Sequence, residues 1–470
     1  MEPVSLLGKF WLPEMQSDFR FGQISIDSER NLTLNIVGTF RSRAELGSAG
    51  DLGPDVLHGE TNDGSLCTLI GVSENGFNFK LGSQVKAQNS SYSIAYLIQG
   101  DHIRSLDEPI FQETRFAFED LDEWVNIDGF TTNSHPTQPK IELRYSLPDP
   151  ISLSIEDGFL DLEFSFQTKS PSTVEKVWQQ RSNFRLALTG PCSIRNILDG
   201  YMYPIQHLVA FGIGKPTFPS TVQLSRERII PGNKPHNSSI QWLQLIYSPS
   251  GYLSDRKRPN RYSMLFGLPA ILSYSETVFK NWFSNYTALR PVFNLYFSCL
   301  YQSEMYVEQL LLSFCHAIEV YHRLKNPQST FVEPKSFENE VLPALTAAIP
   351  TNLDQDFRRK IQDTLKYLNE YSLRRRLKDI CKENDEVLLQ VIPEPKRFVN
   401  SVVNTRNYFT HYNPQQHDAN MTTREIFMMA RRLRFLLEVM LLRELHIPEN
   451  EIQLLVKNYP GYDFLRRELP

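Results

Sequence analysis

Arg406-Asn407-Tyr408-Phe409-Thr410-His411, followed by Tyr412-Asn413-Pro414, is the stretch on which the reading of the C-terminal third turns. The residues ahead of it read as helix from about 396, and Pro414 marks a stop. The stretch therefore closes a helix and sets a guanidinium, an amide and an imidazole within six residues. An imidazole exchanges protons near neutral pH, and a guanidinium grips a phosphate with two parallel hydrogen bonds. Together they are a minimum for metal-free cleavage of RNA. Spacing alone fits equally a solvated helix end, where basic residues favour the terminal carbonyls.

Helical spacing extends outward from this stretch. Val278, Trp282, Phe283 and Tyr286 form one stripe, and Pro291 interrupts it. A long helix is expected over about 303–324, with Leu310, Phe314, Ala317 and Tyr321 on one face. Segment 327–353 contains prolines and reads as irregular. Asp354 is placed to cap a helix through Tyr371 that packs Phe357, Ile361, Leu365 and Leu368 inside. A short piece over Leu373–Ile380 follows. Thr422 or Thr423 caps a last long helix bearing Ile426, Met429, Leu433, Leu437, Met440 and Leu441. Residues 291–470 are thus expected to be an all-α helical bundle.

Upstream the period changes to two. Gln23–Ile26, Leu32–Ile36, Ile141–Tyr145 and Leu160–Phe164 alternate apolar with polar, the pattern of a strand with one wet face. Turn-forming residues cluster between these runs. Residues 1–290 are expected to be β-rich, as a sandwich or barrel-like arrangement in two lobes, with short helices at Leu121–Asn126 and Thr173–Arg181. The fold class is therefore α+β.

Composition narrows the function. With 41% apolar and 22% charged residues the 470-residue chain is ordinary for a soluble protein of two or three domains. The longest apolar run, near Leu310–Val320, is broken by Ser313, His316 and Glu319, so no membrane span is expected. No secretory leader and no disulfide framework are evident, because Cys67, Cys192, Cys299, Cys315 and Cys381 are scattered. A cytoplasmic setting follows. The net charge of −5 gives no global pull on nucleic acid, but from 301 onward 23 basic and 23 acidic residues balance. RNA binding would have to use local basic patches.

The helix Leu312-Ser313-Phe314-Cys315-His316-Ala317-Ile318-Glu319-Val320-Tyr321-His322-Arg323, the run Leu373-Arg374-Arg375-Arg376-Leu377 and the Arg406-Asn407…His411 motif together resemble a HEPN domain of the ApeA type. The β-rich part, with Gly8-Lys9-Phe10-Trp11-Leu12-Pro13 near its start, resembles the N-terminal region of ApeA-like proteins. The likeness covers nearly the whole chain and is most specific at the motif. It implies a helical bundle that forms a homodimer or larger homo-oligomer and acts as a metal-independent endoribonuclease. It also implies bacterial antiviral defence by abortive infection, with host RNA such as tRNA as the target, a phage-derived trigger and no cofactor. The competing reading is a non-catalytic HEPN module that dimerises, or binds RNA or a partner protein.

Metal-free cleavage uses the substrate's own 2′-hydroxyl as nucleophile, and the expected products are a 2′,3′-cyclic phosphate and a 5′-hydroxyl. His411 can act as general base or acid. Arg406 can hold the non-bridging oxygens as charge builds, and Asn407 can orient the imidazole or donate to phosphate. Arg406 and His411, five apart, point about 140° from each other on an ideal helix, whereas Asn407 and His411 share a face. One motif is therefore lopsided, and two facing across a twofold axis would complete a cleft.

Glu319 is a further candidate, able to reach the Arg/His cluster from a neighbouring helix, although a plain ion pair with an arginine fits equally. His316 and His322 stand about 120° apart on a helix, which argues against a shared metal. Arg374, Arg375, Arg376 and Lys378 form the densest basic cluster, with Arg431, Arg432 and Arg434 second. Each is expected either to contact RNA or to form a solvated helix face. Phe211–Pro216 brushes against a phosphate-loop pattern but lacks its Ser/Thr and reads as a turn. The aromatics Trp11, Phe77, Phe79, Tyr92, Tyr96 and Trp242 read as core, with a ligand-sensing surface as the alternative.

Overall fold

Strict alternation of apolar and polar residues lets strands of the N-terminal part bury one face and wet the other. Six of them close on themselves. β1 (Val4–Trp11), β2 (Arg20–Ile26), β3 (Leu32–Val37), β4 (Val56–Thr61), β5 (Leu66–Asn78) and β6 (Asn89–Gln99) pair in the order β6-β3-β2-β1-β4-β5, and β5 pairs back onto β6. The inward residues fill this barrel: Phe10, Ile24, Leu34, Leu57, Leu69, Tyr92 and Leu97 are each sealed from solvent. The computed structural model describes residues 3–40, 54–78, 89–134, 141–228, 240–252, 257–302, 304–382, 385–411 and 421–467. They fall into two compact units, Met1–Phe283 and Ser284–Pro470.

The length of β6 explains how one sheet is both barrel and wing. Its first half pairs with β3, from Val37 opposite Asn89 to Leu32 opposite Ile94. Its second half pairs on that same side with β14 (Leu243–Tyr247), from Tyr247 opposite Tyr96 to Gln244 opposite Gln99. From β14 the sheet continues through β13 (Pro219–Ser225), β7 (Phe111–Phe118), β12 (Val177–Cys192), β11 (Gly158–Lys169) and β10 (Ile151–Ile155). β8 (Phe130–Ser134) and β9 (Ile141–Tyr145) form a separate hairpin. In the wing, Arg185 of β12 is buried and held by Glu113 of β7 at 2.7 and 3.1 Å and by Asp161 of β11 at 3.0 Å.

The structure corrects several local expectations. The strand β12 already begins at Val177, inside the expected helix Thr173–Arg181, because twelve consecutive residues pair with β11 and long-range pairing overrides local propensity. The short helix expected at Leu121–Asn126 is present as α1 (Leu121–Val125). Phe211–Pro216 is not a free turn: Phe211–Ile213 end helix α2 (Tyr203–Ile213), and Gly214 stops it with φ 75°. Trp11 and Tyr92 are core, while Tyr96 and Trp242 are half-buried, Trp242 beneath Arg115 at 4.8 Å. The side chains of Phe77 and Phe79 lie outside the described residues.

The second unit is helical. After α3 (Ser275–Ala288), within which the division falls, come α4 (Arg290–Tyr301), α5 (Val307–Lys325), α6 (Gln355–Lys366), α7 (Leu373–Ile380), α8 (Pro395–His411), α9 (Thr423–Glu444) and α10 (Glu449–Asn458). Thr422 caps α9 with a capping box to Glu425, and α9 is buried on all sides from Leu433 to Leu442. It packs on α5, which in turn packs on α4, α7 and α8. Segment 327–353 is more ordered than expected, with helical turns at Pro334–Ser336, Phe337–Val341 and Leu342–Ala347. Asp354 caps α6 as its sequence suggests, but the helix ends at Lys366 and buries no residue, so its apolar stripe is not core. Among the described residues no helix is long and apolar enough to cross a membrane.

Candidate active site

The apolar residues Val399, Val402 and Val403 fix α8 against the bundle, and no side chain of the helix after Thr405 is fully buried. Arg406 and Asn407 are half-buried and His411 is exposed; Tyr412, Asn413 and Pro414 lie outside the described residues. Arg406 Nη1 donates to Asn407 Oδ1 at 3.2 Å, and Thr410 Oγ1 donates to Arg406 O at 2.8 Å, which orders the turn. No hydrogen bond joins Arg406 to His411 among the described residues. The amide, not the imidazole, is the partner of the guanidinium within one chain.

Arg406 faces α5. Burial pushes the Cys315 thiol up to about 12, the Arg406 charge pulls against that rise and Glu319 adds to it. Arg406 and Glu319 therefore act on one point of α5 with opposite charge. Glu319 is half-buried and makes no ion pair or hydrogen bond among the described residues. Its carboxylate also supports the charge of Arg376 on α7 without pairing with it.

The basic run of α7 separates into distinct environments. Arg374 Nη1 donates to Asn400 Oδ1 and Nη2 to Asn404 Oδ1, the latter at 3.4 Å, tying α7 to α8. Arg375 is exposed, lies over the Tyr371 ring at 5.2 Å and pairs with Asp379 at 3.2 Å. Arg376 is only 2% exposed, with Nε donating to Tyr371 O at 3.0 Å and Nη1 to His322 Nδ1 at 3.1 Å. It is a core cation rather than a surface one. Lys378 is exposed. The second basic cluster is neither a solvated face nor a patch, because Arg434 is buried on Glu438 at 2.7 Å, Arg431 lies over Phe464 and Arg432 reaches Leu465 O.

Sequence reasoning missed the trio His322–Arg376–Asp379, in which His322 Nε2 lies 3.5 Å from Asp379 Oδ2. A signal was available. Arg376 shares the buried face of α7 with Leu373, Leu377 and Ile380, and His322 shares that of α5 with Leu311, Cys315 and Ile318. A polar residue on an apolar helical face calls for a buried partner. His316, by contrast, is exposed.

Residues 5–282 match the family described as ApeA N-terminal domain 1, and residues 312–451 match the one described as Apea-like HEPN. The second match holds Glu319, the α7 basic run and the Arg406–His411 motif. Neither a curated protein nor a solved structure matches the chain.

Proposed function

The chain belongs to the ApeA-like HEPN family of antiviral defence effectors, whose HEPN domains are generally ribonucleases, and on that premise we propose that it is a metal-independent endoribonuclease. The observation that carries this reading is the last turn of α8. It holds Arg406 and Asn407 half-buried and His411 exposed, and the charges of Arg406 and of the unpaired Glu319 both reach Cys315 on α5. His411 moves the proton of the 2′-hydroxyl or of the leaving 5′-oxygen. Arg406 holds the phosphorane oxygens, Asn407 steadies the guanidinium, and Glu319 sets the local field. DNA is inert because it lacks the attacking hydroxyl.

HEPN domains commonly dimerise and bind RNA. A homodimer placing two such turns around one RNA would supply what a single lopsided motif lacks. Host RNA, tRNA in particular, is the proposed substrate, Arg374, Arg375 and Lys378 its surface cations, and the cytoplasm the compartment. Residues 1–290 are the proposed sensor that restrains the nuclease until a phage-derived signal arrives.

The deciding experiment compares RNA ends from cells expressing wild type and His411→Ala. New 2′,3′-cyclic phosphate ends only with wild type support the proposal. Identical ends, with the variant folded, would favour the non-catalytic module. A full-length chain that cuts as fast as residues 291–470 alone would remove the restraint.

A further inference from the structure

The helical unit carries a cleft of about 900 Å3 on the far reaches of α5 and α7, remote in sequence from the Arg406 turn. Its acids are already matched. Asp379 is held by Arg375 at 3.2 Å and by the His322 ring at 3.5 Å. Asp385 pairs with Arg443 at 2.9 Å and accepts the Leu388 N–H at 3.1 Å. Among the cations, Lys325 is held by Glu444 at 2.7 Å. Two ammoniums remain. Lys378 and Lys382 line the cleft, are exposed, and form no ion pair among the described residues. The rings of Tyr371 and His322 form part of the wall.

Two unpaired cations four residues apart, an aromatic wall and a volume in the range of nucleotide-sized sites define the ligand chemistry. A phosphodiester anion carrying a base satisfies all three; an acidic peptide would leave the aromatic wall without a role. The cleft and the motif both border α5. His322 on the cleft wall accepts from Arg376 of α7, and the Arg406 charge of α8 reaches Cys315, two turns earlier on α5. Cys315, Glu319 and His322 follow one stripe of α5 at helical spacing.

We propose that this cleft is a subsite for the RNA strand, seating one nucleotide that flanks the cut, with Lys378 and Lys382 on its phosphate and the Tyr371 ring beside its base. The inference rests on the RNA-cleaving reading above and adds where the strand runs.

The test uses full-length His411→Ala protein, so that substrate survives, and labelled single-stranded RNA followed by anisotropy across a salt series. Lys378→Glu with Lys382→Glu should weaken binding on the order of tenfold. The slope of log K against log salt should fall by about 0.7, as one lost phosphate contact on a single strand requires. The charge-neutral pair Lys378→Gln with Lys382→Gln should show the same slope change with a smaller loss, which guards against a misfolded variant. In the otherwise wild-type chain, the defect should be carried in KM. Unchanged affinity and slope in both pairs would overturn the subsite. So would a loss confined to free mononucleotide with RNA binding intact. If the wild-type chain cuts nothing yet both pairs lose RNA binding, the subsite stands and the nuclease reading falls. If it cuts RNA and the lysine pairs behave as wild type, the reverse holds.

Discussion

Arg376 Nη1 lies 3.1 Å from His322 Nδ1 inside the helical unit. A guanidinium can only donate, so that ring nitrogen must accept, and the imidazole is held neutral with its proton on Nε2. That proton points to Asp379, whose oxygen lies 3.5 Å away. One arginine thus sets the tautomer of a buried histidine and, through it, the orientation of the carboxylate at the cleft.

The contact makes the unit acid-sensitive. Burial first, and the Arg376 charge second, lower the His322 pKa below its ordinary value. The unfolded chain therefore binds the proton more readily, and stability falls as pH drops below about 6.5 toward the depressed folded value. His322→Gln removes the titration. Melting temperatures at pH 7.5 and 5.5 should show wild type ahead of the variant at the higher pH, with the gap closing at the lower. A gap independent of pH would contradict this account.

Glu438 is the keystone of the same bundle. It accepts from Arg434 Nε at 2.7 Å, from Tyr296 OH at 2.6 Å and from Tyr462 OH, all buried. Glu438→Ala strands the Arg434 charge in the core and should cost about 3–5 kcal/mol in urea unfolding of the helical transition. The double change Glu438→Leu with Arg434→Met, which removes both charges, should cost less than Glu438→Ala alone. A single variant within 1 kcal/mol of wild type, on the order of an exposed pair, would refute the buried role.

In the barrel the corresponding constraint is steric. A Cβ on Gly59 of β4 would stand 2.7 Å from Phe10 Cδ1 and 2.8 Å from Cys67 Sγ. Both neighbours are sealed in the core, so neither can move cheaply. Gly59→Ala should destabilise the first unit by about 1–3 kcal/mol. Adding Phe10→Leu and Cys67→Ala should cost less than the separate changes sum to, since the three share one space. Strict additivity in denaturant unfolding would argue that the barrel wall yields there.

What could be read in advance follows the range of the interaction. The caps at Asp354 and Thr422 involve partners within three residues, so the sequence displays them directly. The paired ends of β5 and β6 that close the barrel, and the twelve-residue pairing that turns Thr173–Arg181 toward strand, are set by partners elsewhere in the chain. The motif at Arg406–His411 was legible as a spacing. Its separation into a guanidinium facing inward and an imidazole facing solvent depends on which side of α8 the valines bury. Arg376 and Arg434 were misplaced on surfaces because a run of arginines reads as charge, whereas helical phase sends one member of each run into the core.

The separation of Arg406 from His411 within one chain gives the proposed composite site its sharpest consequence. If two copies bring their α8 turns around one RNA, each cut can use the guanidinium of one copy and the imidazole of the other. Arg406→Ala and His411→Ala should each lose roughly 10²- to 10⁴-fold in cleavage rate, the range for a lost transition-state donor or general acid–base. His411 is exposed, so its variant should melt as wild type does. Co-expressing the two inactive chains yields mixed dimers in about half the population, and these hold one intact arginine and one intact histidine at the shared cleft. Cleavage should return in the mixture well above either variant alone, and dilution below the dimer's dissociation constant should abolish it. A mixture as inactive as its components would mean that Arg406 and His411 must act from the same chain.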